Sequence, residues 1–218
     1  METSNILNDI MHTIAQSVLT PSVAILLFFM AISVIELGGF VVECIIERRK
    51  FKADIPLLLK NINEQSLENI PDLIQNSGLL KRHRNALIKL LDNKNMPKVA
   101  MTALANRLLT NEENTYKKSL ELAEIICKVA PMFGLLGTLI PLGPGLLALG
   151  EGNVDILSQS MLVAFDTTIS GIISAGICFV IVTIRRRWYS DYISLLETIM
   201  ESLLEKVHPT CEAEKVLN

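Results

Sequence analysis

Thr138, Asp166, Thr167, Thr168, Ser170 and Ser174 stand in two largely apolar stretches, residues 129–150 and 158–184, each long enough to cross a bilayer. Hydroxyls donate and accept hydrogen bonds, and a carboxyl group binds and releases protons. A carboxylate at hydrocarbon depth costs roughly 2.5 to 3.5 kcal/mol on insertion scales, so it is placed where it faces protein or a watered path. These residue types at this depth point to an ion pathway, with Thr138, Thr168, Asp166, Thr167 and Ser170 as its candidate residues.

The backbone around them is unusual in the same way. Pro141 and Pro144 remove the amide protons that would bond the carbonyls of Gly137 and Ile140, so a helix there is expected to bend or partly unwind. Gly134, Thr138, Pro141 and Gly145 recur at spacings of four, three and four, and Ala164, Thr167, Thr168, Gly171, Ala175 and Cys178 form one small-residue face at 3.6-residue periodicity in the next stretch. Such small-residue faces either border a pore or let two helices approach closely. Gly134, Gly137, Pro141, Pro144 and Gly171 are therefore candidates for pore lining or for helix packing. Asp166 falls nearly opposite Thr168, on an edge continued by Ser170 and Ser174, and as a packing residue it would hydrogen-bond to a serine or threonine. Glu36 is a deep acid of an earlier apolar stretch, followed by Gly38 and Gly39, and is a candidate structural acid that could pair with Asp166. Glu43, near Glu47 and Arg48, is expected to reach water at the inner interface and to be structural.

These residues need an all-α scaffold with three transmembrane helices. The 218-residue chain is 50% hydrophobic with a mean hydropathy of +0.41 and 20% charge, too apolar for a soluble domain and too charged for a purely membranous one. Residues 1–20 read as an amphipathic outer-side helix along the membrane surface. Thr20 and Pro21 then act as N-cap and first helical position of transmembrane helix 1, residues 21–46. A cytoplasmic helical region of three or four short helices follows at 47–128, its last helix starting at Pro97 or after Thr110. Transmembrane helix 2 is expected at 129–150, an outer loop at 151–157, transmembrane helix 3 at 158–184 and a cytoplasmic C-terminal helix at 185–218. Without a basic start and an early cleavage site, the first apolar stretch is expected to remain as a span.

Orientation follows from charge. Residues 1–20 and the loop Glu151 to Asp155 carry no Lys or Arg, whereas Arg48-Arg49-Lys50 and Arg185-Arg186-Arg187 follow spans 1 and 3. The positive-inside rule then puts the N-terminus outside and the C-terminus inside. A net charge of -3 without a concentrated basic surface argues against a nucleic-acid partner. Cys44, Cys127, Cys178 and Cys211 lack metal-ligand spacing, and no cofactor motif is present, so no metal and no cofactor is expected. His12, His83 and His208 sit in polar segments and are expected to be solvated.

The run Ala130-Pro131-Met132-Phe133-Gly134-Leu135-Leu136-Gly137-Thr138 resembles the start of the second span in the MotA/TolQ/ExbB proton-channel family. Thr168-Ile169-Ser170-Gly171-Ile172 is similar to the family's third-span motif, a threonine three residues before a glycine, and Ile45-Ile46-Glu47-Arg48 is similar to its exit from the first span. The three-span ExbB/TolQ-like branch fits better than the four-span MotA layout. The resemblance implies a homopentamer around a single-span partner of the ExbD, TolR or MotB type in the cytoplasmic (inner) membrane. In such a motor stator the partner's aspartate takes up the ion, and the threonines matching Thr138 and Thr168 form its route. Two departures stand out: the Pro141–Pro144 segment is unlike the usual second span, and the third span lacks the proline common after the glycine. The acid of ExbB-like third spans also lies about one turn nearer the outside than Asp166.

The other reading of the same residues is a structural membrane scaffold whose cytoplasmic helices recruit partners without conducting ions. An enzyme is disfavoured, because no span carries a nucleophile with a paired base or a phosphate-binding glycine loop.

Overall fold

The computed structural model describes residues 2–50, 55–67 and 69–209. Cys211 lies outside the described residues, as do the side chains of His12 and of Arg48, Arg49 and Lys50. Among the described residues every regular element is a helix: α1 (Glu2–Lys50), α2 (Ile55–Glu64), α3 (Ile70–Asn76), α4 (Lys81–Asp92), α5 (Lys98–Gly150) and α6 (Val154–Val207). Three of them, α1, α5 and α6, are long and apolar enough to cross a membrane. α5 and α6 have 53 and 54 residues, about 80 Å each at the α-helical rise, far beyond a hydrocarbon core of about 30 Å.

Local chemistry explains the element ends. Pro97 opens α5 by accepting the Met101 amide at 3.0 Å, and the helix then runs without interruption from Lys98, so the earlier of the two expected starts is the one realised. At its far end the Asn153 amide reaches back to the Ala148 carbonyl at 2.8 Å, while Gly152 takes φ +80°, a left-handed turn that glycine adopts without steric penalty. The Asn153 side-chain oxygen then accepts the Ile156 amide at 3.3 Å and starts α6. α6 begins at Val154, inside the stretch expected to be loop.

Two expected interruptions of the helices are not present as breaks in helical structure. No cap separates a surface helix from the first span at Thr20-Pro21, because α1 carries Pro21 in its interior. Likewise α5 stays helical through Pro131, Pro141 and Pro144. Each proline removes one backbone bond, and the long bonded stretches on both sides outweigh that loss; α6, packed along α5 as described below, holds the Pro141–Pro144 stretch.

The chain divides into two compact units, one made of Met1–Val41 with Leu120–Ile184 and the other of Val42–Ser119 with Arg185–Asn218. The first has a narrow core of Ala123, Ile126, Ala130, Ala175, Cys178 and Val182, against which Phe29, Ile32 and Cys127 pack. It exposes Leu27, Phe28, Ile35, Leu139, Ile172 and Phe179, an outward apolar surface suited to lipid. The second unit has a larger core in which Ile62, Ile70, Ile74, Leu87, Leu90 and Met101 meet Leu196, Ile199 and Leu203 of α6.

Candidate ion pathway

In the first unit α5 and α6 meet along a seam of small residues. A Cβ built on Gly171 would lie 2.8 Å from the Ala130 carbonyl oxygen and 3.2 Å from the Gly134 Cα. One built on Gly137 would lie 2.5 Å from the Thr167 side chain, and one on Gly145 3.0 Å from Ser160. These pairs descend α5 as they ascend α6, so the two helices run antiparallel in one continuous register. Gly134, Gly137 and Gly171 thus lie in the α5–α6 packing seam, and Pro141 is buried. Pro144 is half-buried.

The five candidate pathway residues separate by position. Thr167 is buried against Gly137, its hydroxyl shared between the carbonyls of Val163 at 2.9 Å and Ala164 at 3.0 Å, so it acts as a knob in the seam. Thr138 and Thr168 are half-buried; their hydroxyls donate to Leu135 at 2.7 Å and Ala164 at 3.1 Å. A hydroxyl that donates back into its own helix keeps its oxygen lone pairs available and can re-aim its proton. Ser170 is half-buried and donates to the Asp166 backbone carbonyl at 2.7 Å. Asp166 is exposed, and its carboxylate meets no partner among the described residues. The expected hydrogen bond from a serine or threonine to that carboxylate is therefore absent, because Ser170 satisfies the main chain instead.

Glu36 is half-buried on α1, close enough to Cys178 to act on it electrostatically. Cys178 lies twelve residues along α6 from Asp166, about 18 Å at the helical rise, so Glu36 and Asp166 do not pair within one protomer.

The second unit holds a polar and aromatic cluster that the sequence does not announce. Glu43 accepts a hydrogen bond from Arg185 Nε at 2.6 Å and one from the Tyr189 hydroxyl at 3.2 Å. Tyr189 stacks on Tyr116 with ring centroids 4.4 Å apart, and Arg82 lies over the other aromatic of that pair, 5.7 Å from the Tyr116 centroid, while pairing with Glu112 at 3.2 Å. Burial pushes the Tyr189 phenol above its ordinary range, with Ser119 hydrogen-bonding in the opposite sense. His83 is fully buried, not solvated: its Nε2 is 3.0 Å from the Tyr116 hydroxyl and its ring is edge-on to Tyr116 and Tyr192. Burial first and the Arg82 charge second lower its pKa to about 4. The reason is its place on α4, on the same face as Ala86, Leu87, Leu90 and Leu91, all buried.

With only helices as regular elements among the described residues, three of them of span length and apolar, and small-residue packing inside the spans, the chain is a multi-pass membrane protein. The family model described as MotA/TolQ/ExbB proton channel family matches residues 67–198, more than half of the chain, and the chain belongs to that family. Its three apolar helices fit the three-span branch. The matched range contains Thr138, Asp166, Thr168 and Arg185, whereas Glu36 and Glu43 precede it. No curated protein matches the chain.

Proposed function

We propose that this chain is the channel subunit of an ion-driven stator in the cytoplasmic membrane, coupling proton-motive force to mechanical work. Five copies enclose a single-span partner of the ExbD, TolR or MotB type, with the N-terminus outside and the cytoplasmic helices and C-terminus inside. The observation that carries the reading is the placement of Thr138 and Thr168. Both stay half-buried at the margin of a seam that otherwise closes on glycine, with oxygens free to accept from water or from a partner's carboxyl group. Ion steps along such hydroxyls need only rotation of the Cβ–O bond, which the fixed backbone does not resist.

The test is proton uptake into vesicles holding the complex with its single-span partner, read by an enclosed pH-sensitive dye under an imposed potential. Thr138→Val with Thr168→Val is expected to lower flux at least tenfold while the complex still elutes intact. Unchanged flux would remove both residues from the route. The scaffold reading is favoured by the glycine seam alone, and it predicts wild-type vesicles that stay silent to both proton and sodium gradients beside the partner.

A further inference from the structure

The register of the α5–α6 seam fixes the side of the pair on which each polar residue stands. A helix turns about 100° per residue, so Thr138 lies about 40° beyond Gly134 on α5 and Thr168 about 60° beyond Gly171 on α6, each away from the Gly137–Thr167 contact. A Cβ built on Gly134 would stand 3.5 Å from the Cα atoms of both Gly171 and Thr168, whereas one on Gly137 would press on the Thr167 side chain. The Gly134 side of α5 and the Thr168 side of α6 are therefore one side, and Thr138 and Thr168 open onto the same groove. The opposite groove holds α1: Phe133, about 40° beyond Gly137 in the other sense, meets Phe29 edge-on with ring centroids 6.0 Å apart.

Asp166 is on the other side, about 160° around α6 from Thr168. It is exposed between Leu162, Phe165 and Ile169, all exposed as well. A bare carboxylate at hydrocarbon depth is unfavourable, so protein or water covers it in the membrane. Its depth is set by the same register: with Thr167 against Gly137 and Gly171 against Gly134, Thr138 stands level with Asp166. Thr168 is about 3 Å from that level at the helical rise. The two threonines are half-buried in a groove bordered by the exposed Leu135 and Ile172. Each protomer thus carries an acceptor without donors on one side and, at one depth with it, two hydroxyls on the other.

We infer that Asp166 of one copy docks into the Thr138–Thr168 groove of the next, so that the ion route is built from two copies at each contact and is incomplete in one. This rests on the channel reading above, in which several copies close into a ring, and deepens it by naming the contact between them. Rotation about an axis along the bilayer normal keeps every residue at its depth and turns one side of each copy to the opposite side of its neighbour, a head-to-tail contact that closes into a ring. The two hydroxyls donate to the Leu135 and Ala164 carbonyls at 2.7 and 3.1 Å, and they re-aim toward a carboxylate by rotation alone. Each oxygen then keeps lone pairs for the ion. Around this polar centre, Leu162 and Ile169 beside Asp166 match Leu135 and Ile172 at the groove's edge, so the same contact covers apolar surface on both copies.

Crosslinking of the full-length protein in membranes, in a background lacking native cysteines, tests this. Copies carrying Asp166→Cys and differently tagged copies carrying Thr138→Cys, expressed together, are expected to form a mixed disulfide dimer with a membrane-permeant oxidant, and either kind alone to form none. Absence of the mixed dimer, or as much dimer from one kind alone, overturns the proposal. Where the cysteine variants do not assemble, flux in vesicles with the single-span partner reads the same contact. Asp166→Asn is expected to lower it several-fold and Thr138→Val to lower it further, with the double variant no worse than Thr138→Val. Full flux in Asp166→Asn, or a double variant in which the two effects multiply, overturns it as well. The crosslink needs no ion flow, so a conducting wild type whose cysteine variants fail to crosslink sinks this inference alone. A silent wild type whose variants do crosslink sinks the channel reading and leaves the contact standing.

Discussion

His83 shows how far the environment of one residue can depart from what its neighbours suggest. It sits in Lys81-Arg82-His83-Arg84, a run that reads as solvated, yet it is fully buried. The signal was present in its spacing to Leu87, Leu90 and Leu91 and was hidden by the charges beside it. The consequence is testable with pH. The unfolded chain takes up a proton at His83 below about pH 6.5, but the folded protein does so only near its lowered pKa of about 4. Between those values the unfolded state holds more protons, so stability falls as pH drops from about 6.5 to 4, by about 3 kcal/mol from this group. Thermal melts in detergent should show this loss in the wild type, and His83→Gln should flatten that part of the difference curve.

The Glu43 site makes the same point with a different cause. Glu43 and Arg185 are 142 residues apart, so no local pattern could pair them. Their side chains are 17% and 11% exposed, and removing one partner leaves a mostly desolvated charge. Arg185→Ala is expected to destabilise by about 3 kcal/mol, and Tyr189→Phe, which loses one hydrogen bond to a charged group, by about 1.5 kcal/mol. Differential scanning in detergent, with the Glu43→Gln/Arg185→Ala double variant less damaged than the sum of its singles, checks both.

At the scale of elements, the long helices were legible and their interruptions were not. Apolar length identified three spans, and glycine spacing identified the seam. Local rules placed a helix start at Thr20-Pro21 and a bend or partial unwinding at Pro141 and Pro144, but a proline costs one bond whereas helices of this length retain dozens and stay helical through all of them. The seam itself yields a graded series. Gly171→Ala forces backbone against backbone at 2.8 Å and should separate α5 from α6, with a large fall in melting temperature. Gly134→Ala, at 3.2 Å, requires a shift of a few tenths of an ångström and should cost less. Gly143→Ala meets nothing within 4 Å and should be neutral or slightly stabilising, since alanine is the better helix former by about 1 kcal/mol. Equal melting temperatures for all three would refute the close approach.

At the scale of the molecule, the sequence expresses its class through composition and its family through two motifs in spans 2 and 3, and the family match covers both. Assembly and orientation belong to surfaces that one chain does not bring together. With the N-terminus outside, a cysteine at Asn153 in a background lacking native cysteines should react with an impermeant maleimide in intact cells, and one at Thr102 only after permeabilisation. The reverse pattern would invert the topology. Native mass spectrometry of the detergent-extracted complex should give five copies of this chain.

The turn that closes α5 onto α6 has only Glu151, Gly152 and Asn153 between its helices. Joined so tightly at the tip and interlocked glycine by glycine below it, the stretches of α5 and α6 in the first unit form the tines of a welded fork rather than hinged arms. In the stator proposed above, a push on either tine would move its twin with it, so that a stroke would displace the pair together rather than open it.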